Sequence, residues 1–178
     1  ISLNRFSIYN PEKRQFFLER SNNFDFTFNN ANKVFYSRRI GINSNRLVRI
    51  YGGGRIVGRE GKTDIGFLNM QTAALDTFPS DNLGVLRLKQ NIFNNNSYIG
   101  CIGTSKIGTD GSYNVVYGVD GVFQIRGDDY FKIMAVQSQD NTKDENVLSQ
   151  HSSRYQIELE RRSKSGFNYL LGTGYAGK

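Results

Sequence analysis

The sequence predicts an all-β fold, an antiparallel up-and-down meander of about eight to ten strands that forms a β-barrel or part of one. Three observations carry this. From about Arg46 onward the helical period is missing and a two-residue hydrophobic period replaces it. The alternating segments follow one another through hairpin-like connections. The composition suits strands and tight turns, with 19 Gly, 13 Phe and 10 Tyr but only 2 Pro among 178 residues.

Taken in chain order, "RLVRIYGGGRIVGR" sets Val48, Ile50 and Ile56 against Arg49, Tyr51, Arg55 and Arg59. Strands at roughly 64–72, 84–92 and 97–105 are split less cleanly, although Arg87 and Lys89 share a face. The clearest segment is "YNVVYGVDGVFQIR", where Tyr113, Val115, Tyr117, Val119, Gly121, Phe123 and Ile125 oppose Asn114, Gly118, Asp120, Gln124 and Arg126. The turn "RGDD" leads into "YFKIMAVQS", with Phe131, Ile133 and Ala135 on one face and Lys132 on the other. "SRYQIELER" places Tyr155, Ile157 and Leu159 against Arg154, Gln156, Glu158 and Glu160, and "FNYLLGTGY" closes the series.

The connections "EGK", "NNN", "GD" and "SKSG" read as short, whereas "AALDTFPSD", "SKIGTDG" and "DNTKDENVLSQHS" read as longer and polar. In a meander every second connection lies at the same end, so tight turns are expected at one end and loops at the other. Long strands, two-sided alternation and that asymmetry match a transmembrane β-barrel. A soluble lipocalin-type barrel, which turns its apolar face inward onto a small apolar ligand, is the alternative.

The membrane reading assigns each face a solvent. Val119, Phe123, Ile125, Phe131, Ile133, Tyr155, Ile157 and Leu159 are expected to meet lipid. Arg49, Arg55, Arg59, Arg87, Lys89, Asp120, Lys132, Arg154, Glu158 and Glu160 are expected on a lumenal polar face. Such a network braces a barrel wall by ion pairing. The net charge of +7 also makes an anionic solute or acidic glycan a candidate occupant.

Several chemistries are excluded or disfavoured. One cysteine, Cys101, and one histidine, His151, rule out an internal disulfide and paired-ligand zinc motifs, so no metal and no cofactor are expected. Cys101 is read as a buried small residue. "GGGRIVG" (Gly52 to Gly58) lacks the Lys-Ser/Thr ending of a phosphate loop and sits inside a strand. Aromatic and cationic side chains fall on opposite faces, so they do not form a single-strand stacking platform, and no nucleic-acid partner is expected. Glu12 and Glu19 are a candidate carboxylate pair, on a short helix expected to begin at Pro11 and run to about Arg20. The preferred reading is salt-linking to Lys13, Arg14 and Arg20. Arg38 and Arg39, after Phe35 and Tyr36, are expected in a strand. No catalytic constellation is visible.

The blocks "LNRFSIYNPEKRQFFLE", "FYSRRIG", "IGFLNMQT", "VLRLK" and "GSYNVVYGVDGVF" resemble, in that order, a family of large outer-membrane-type barrel proteins of gram-negative bacteria. In that family a family-9-like carbohydrate-binding domain precedes the barrel, and some members are labelled membrane-associated hydrolases. The resemblance implies an outer-membrane location, a structural or pore-forming role linked to surface glycan handling, and a chain that is part of a longer protein. It implies a lead-in segment over 1–45, a short helix plus a β-hairpin serving as link or plug, followed by barrel strands over 46–178. The hydrolase label brings no motif that maps onto this sequence. An activity sited elsewhere in a longer protein is therefore the remaining alternative.

Overall fold

The computed structural model describes residues 12–28, 32–43, 46–76, 78–141 and 150–177. The N-terminal segment carries a one-turn helix α1 (Gln15–Leu18), a 3-10 turn at Ser21–Phe24, and a two-residue ladder of β1 (Thr27–Phe28) with β2 (Asn32–Lys33). A second 3-10 turn (Ser37–Arg39) follows, then another small ladder of β3 (Ile42–Asn43) with β4 (Arg46–Leu47). The helix is shorter than the sequence suggests, and Arg38 and Arg39 lie in the 3-10 turn rather than in a strand. Arg46 and Leu47 pair with β3, so the main sheet opens only at Ile50.

Eight long strands then run as one antiparallel meander. They are β5 (Ile50–Glu60), β6 (Thr63–Thr72), β7 (Asp81–Asn91), β8 (Tyr98–Gly108), β9 (Tyr113–Arg126), β10 (Asp129–Asn141), β11 (Gln150–Arg161) and β12 (Leu170–Ala176). Each pairs with its sequence neighbours, and β5 and β12 form the two edges of an unclosed sheet. The fold is thus an all-β antiparallel partial barrel, as the alternation predicts.

Sidedness follows from the strand order. Connections at 61–62, 92–97, 127–128 and 162–169 lie at one end, and those at 73–80 and 109–112 at the other. The longer connection expected between β10 and β11 lies outside the described residues. "SKIGTDG" is less of a loop than expected, because β8 continues to Gly108. Phe167 and Tyr169 precede β12 instead of lying in it, so the connection 162–169 is as long as 73–80, and the expected contrast of tight turns at one end with loops at the other does not hold. Gly61, Gly111 and Gly127 take positive φ at these reversals, a conformation that costs glycine little.

The register separates the two faces without ambiguity. Across the sheet, Arg55–Leu68–Val85–Thr104–Val116 and Gly66–Arg87–Ile102–Gly118–Val136–Arg154 lie on one face. Phe67–Leu86–Gly103–Tyr117 and Gly121–Ile133–Ile157–Thr173 lie on the other. The described N-terminal residues pack on the first face. Phe17, Phe24 and Ile40 pack with Leu68, Met70 and Val85 to make one core cluster. Phe26 and Phe28 pack with Ile102 and Met134 to make another. All these side chains are buried, and at ~1.5–3 kcal/mol per large apolar side chain they dominate what holds the segment to the sheet.

Among the described residues nothing packs over the second face, and this bare face is the apolar one. Ile56, Leu86, Ile99, Val119, Ile125, Ile133, Tyr155, Ile157, Leu171 and Tyr175 are all exposed there. Cys101, opposite Leu88 and Val119, belongs to this bare face too, so it is exposed and not a buried core residue. The parity of its strand, not its size, decides where it points.

Candidate functional site

The covered face is where ionisable groups gather. Arg87 and Asp120 form a fork-to-fork pair, with Arg87 Nη1 and Nη2 donating to Asp120 Oδ1 and Oδ2 at 2.7 Å each. Their side chains are 1% and 4% exposed, so this pair is screened from water almost completely. The Tyr98 hydroxyl donates to Asp120 Oδ2 at 3.2 Å, and the Arg87 guanidinium lies 5.2 Å from the Phe26 ring centre. Gly100, between the strands that supply the two ions, makes room for them. A Cβ there would sit 2.7 Å from Arg87 Nη1 and 2.8 Å from both Asp120 Oδ1 and the Leu88 carbonyl.

Other pairs extend the network. Lys132 and Glu158 meet at 3.2 Å, Arg59 donates to both oxygens of Asp64 at 2.6 Å, and Lys106 lies 3.3 Å from Asp81. Gln156 donates its Nε2 to Glu158 and is itself buried. Glu160 accepts from Arg162. Lys89 donates to the Asn22 carbonyl at 3.1 Å, and Arg55 to the carbonyls of Phe16 (2.9 Å) and Glu19.

The alternating Phe24, Phe26 and Phe28 explain why three of these cations stand where they do. Arg55 of β5 lies 5.5 Å from the Phe24 ring, Arg87 of β7 lies over Phe26, and Arg154 of β11 lies 4.8 Å from Phe28. One short segment thus sets one aromatic ring on one arginine of each of three strands. Glycines lie beneath it: a Cβ at Gly66 would come within 3.0 Å of Phe24, and one at Gly118 within 3.1 Å of Phe26.

Every residue expected on the polar face lies on the covered face except Arg49. Arg49 precedes β5, is exposed, and gives its carbonyl to the Ala73 amide. The bulge between Ile50 and Gly52 takes it out of the alternation. The residues expected to meet lipid all fall on the bare face. Val119, Ile125, Ile133, Tyr155 and Ile157 are exposed there, and Phe123, Phe131 and Leu159 are half-buried. Phe123 and Phe131 contact each other with ring centres 6.3 Å apart.

Glu12 is not set against Glu19. Its carboxylate accepts from the Arg14 backbone and guanidinium and from the Ser37 hydroxyl (2.8 Å), while Arg14 also donates to the carbonyls of Ser37 and Ile40. Burial alone would raise its pKa, but these hydrogen bonds outweigh it and hold the carboxyl down at about 2, from about 4.5. A depressed folded pKa means the contribution is complete above the unfolded value and is lost as pH falls through the folded one. Glu12→Gln is therefore expected to speed backbone hydrogen exchange around Ser37–Ile40 at neutral pH. The gap between variant and parent should close between pH ~4.5 and ~2. A gap that persists at pH 2 would mean that the carboxylate is not the fastening group.

Among the described residues, no group of three or more His, Cys, Asp or Glu side chains could hold a metal ion, and no helix is long and apolar enough to cross a membrane. The latter says nothing of strands. The side chain of His151 lies outside the described residues, as do Asn10 and Pro11. Sequence reasoning missed Asp81, a buried carboxylate at the loop end of β7. Its only signal was an acid immediately after "FPS", which reads as an ordinary turn residue. Comparison with known protein families, curated sequences and solved structures finds no match to this chain.

Proposed function

We propose that the chain forms part of the wall of an outer-membrane-type β-barrel, with its N-terminal segment as a plug against the lumenal face. One observation carries this reading: the apolar face is the bare one, and the charged face is the covered one. A soluble barrel inverts that arrangement, and soluble monomers rarely leave a contiguous apolar face of this extent open to water.

The dimensions of the bare face agree. From Tyr113 to Ile125 on β9 the apolar row runs roughly 40 Å along the strand, or about 28 Å across a bilayer at a ~45° tilt, against an apolar band of about 25 Å. Polar side chains bound it at both ends. Toward the loops, Asn69 donates to Asn82 (2.9 Å), Asn82 to Gln71 (3.0 Å), and Gln71 to Ser80 (2.8 Å). Toward the tight turns stand Glu60, Gln90 and the Asp129–Arg161 pair. Exposed Tyr113 and Tyr117 lie toward the loop side of the band, and Phe93 and Phe167 are at the other, as interfacial aromatics would be, whereas Tyr155 and Tyr175 lie level with Val119 at its middle.

The family resemblance supports placing this wall in a gram-negative outer membrane, with a role in surface glycan handling. The dense pairing of the covered face favours a braced, occluded wall over an open pore. No hydrolytic activity is assigned, because Glu12 is engaged by Arg14 and Ser37.

The single native cysteine supplies the test. A fluorophore attached to Cys101 of the chain reconstituted in vesicles is expected to be quenched by bromine-bearing lipids and spared by aqueous iodide. Quenching by iodide alone, with a chain that stays monomeric in plain buffer, would defeat the membrane reading.

A further inference from the structure

A cavity of about 520 Å³ opens at the loop end between the N-terminal segment and strands β6 to β9. That is within the range of small-molecule sites, and its walls combine apolar side chains with a few convergent polar groups. Asp81 is the unusual one. Its side chain is 10% exposed, its Oδ2 faces Lys106 Nζ at 3.3 Å, and its Oδ1 is buried with no hydrogen-bond partner among the described residues. Its backbone is held in place by reciprocal 3.2 Å hydrogen bonds with the Thr72 hydroxyl, which donates to the Asp81 carbonyl and accepts from its amide. A buried carboxylate oxygen without a donor is costly; Oδ1 is closed to water as the side chain stands, so a ligand's donor meets it through a turn of the Asp81 carboxylate toward the cavity that this residue lines.

We propose that this cavity binds a hydroxylated organic acid, either a free sugar acid or the terminal residue of an acidic glycan. The inference adds a ligand class to the barrel reading but does not depend on insertion in a membrane. Lys106 already neutralises Asp81, so a second ammonium beside it meets like-charge repulsion, and a neutral hydroxyl is the better donor for Oδ1. Arg39, exposed at the same cavity, makes no ion pair among the described residues and presents a guanidinium suited to a carboxylate. Asn114, across from Lys106 on β9, offers both a donor and an acceptor. Ile42, Phe78 and Leu83 line the cavity with the apolar surface that the C–H face of a sugar ring needs.

The probe is galacturonate, titrated by calorimetry and saturation-transfer NMR into the chain in detergent micelles. Galactose lacks the carboxylate and cyclohexanecarboxylate lacks the hydroxyls. Saturable binding of galacturonate is expected, with both analogues weaker by ~10-fold or more, a loss of one charge-assisted or buried hydrogen bond. Arg39→Gln, an exposed substitution that leaves the fold intact, should cost a similar factor for galacturonate and nothing for galactose. Asp81→Asn should weaken galacturonate and galactose alike while Cys101 labelling stays at the parent rate. Tighter binding of trigalacturonate assigns the site to a glycan end, and equal binding assigns it to the free acid. Absence of saturable galacturonate binding, equal binding of either analogue, or indifference to Arg39→Gln overturns the proposal.

Discussion

Ile157→Arg is expected to abolish productive insertion into lipid vesicles. Ile157 sits in the middle of the bare face, directly opposite Ile133 on β10 and Thr173 on β12, and it is 43% exposed. Moving a cation to the midplane of a membrane barrel costs ~2–4 kcal/mol, and near the interface about 0–1 kcal/mol. Gln90→Arg, at the tight-turn rim of the same face, is therefore the matched control and should insert normally. Folding yield by the gel-shift of heat-modifiable barrels, or protection of strands from protease in vesicles, reads the outcome. In water alone the same substitution on an exposed face would cost little. Equal yields for Ile157→Arg and Gln90→Arg would thus remove the lipid from the account.

The second large effect is internal. Asp120→Ala should destabilise the folded chain by ~3–5 kcal/mol, because it strands the Arg87 guanidinium in a site that is 1% exposed. Urea unfolding in micelles measures it. Arg87→Met combined with Asp120→Leu should recover a large part of the loss, since the cost lies in an unpaired buried charge more than in the missing attraction. Gly100→Val should resemble the single loss, as its side chain would displace both ions and strike the Leu88 carbonyl. A change below ~1 kcal/mol in Asp120→Ala would place the pair among solvent-screened surface bridges and contradict its burial.

The two predictions draw on different levels of information. The expectation for Ile157 was legible in "SRYQIELER", because strand geometry forces successive side chains to opposite faces and the partition into apolar and polar rows needs no tertiary contact. Strand parity was legible for the same reason, as were the meander and the ends to which its turns belong. Where parity failed, at Arg49, a bulge had shifted the count by one, and the glycine run that begins at Gly52 was its one local sign. Asp120 was legible as polar-face, but its bond to Arg87 was not. The two residues lie on β7 and β9, and only the stagger of the intervening β8 brings them together across Gly100.

By itself, then, the sequence determined the strands, their order and the chemistry of each face, since these follow from local periodicity and short connections. It did not determine which face would be covered. The helix that "PEKRQFF" suggests shrinks to one turn, and "FDFTF" lies across the sheet instead of joining it, because rings buried on Arg55, Arg87 and Arg154 gain more than an added edge strand. Those contacts join residues far apart in the chain, as does the seating of Asp81 beside Lys106 at the mouth of the cavity. Local propensity carries no term for such encounters. Only the packed tertiary structure, in which a buried charge must find a partner and a ring must find a glycine to lie on, decided them.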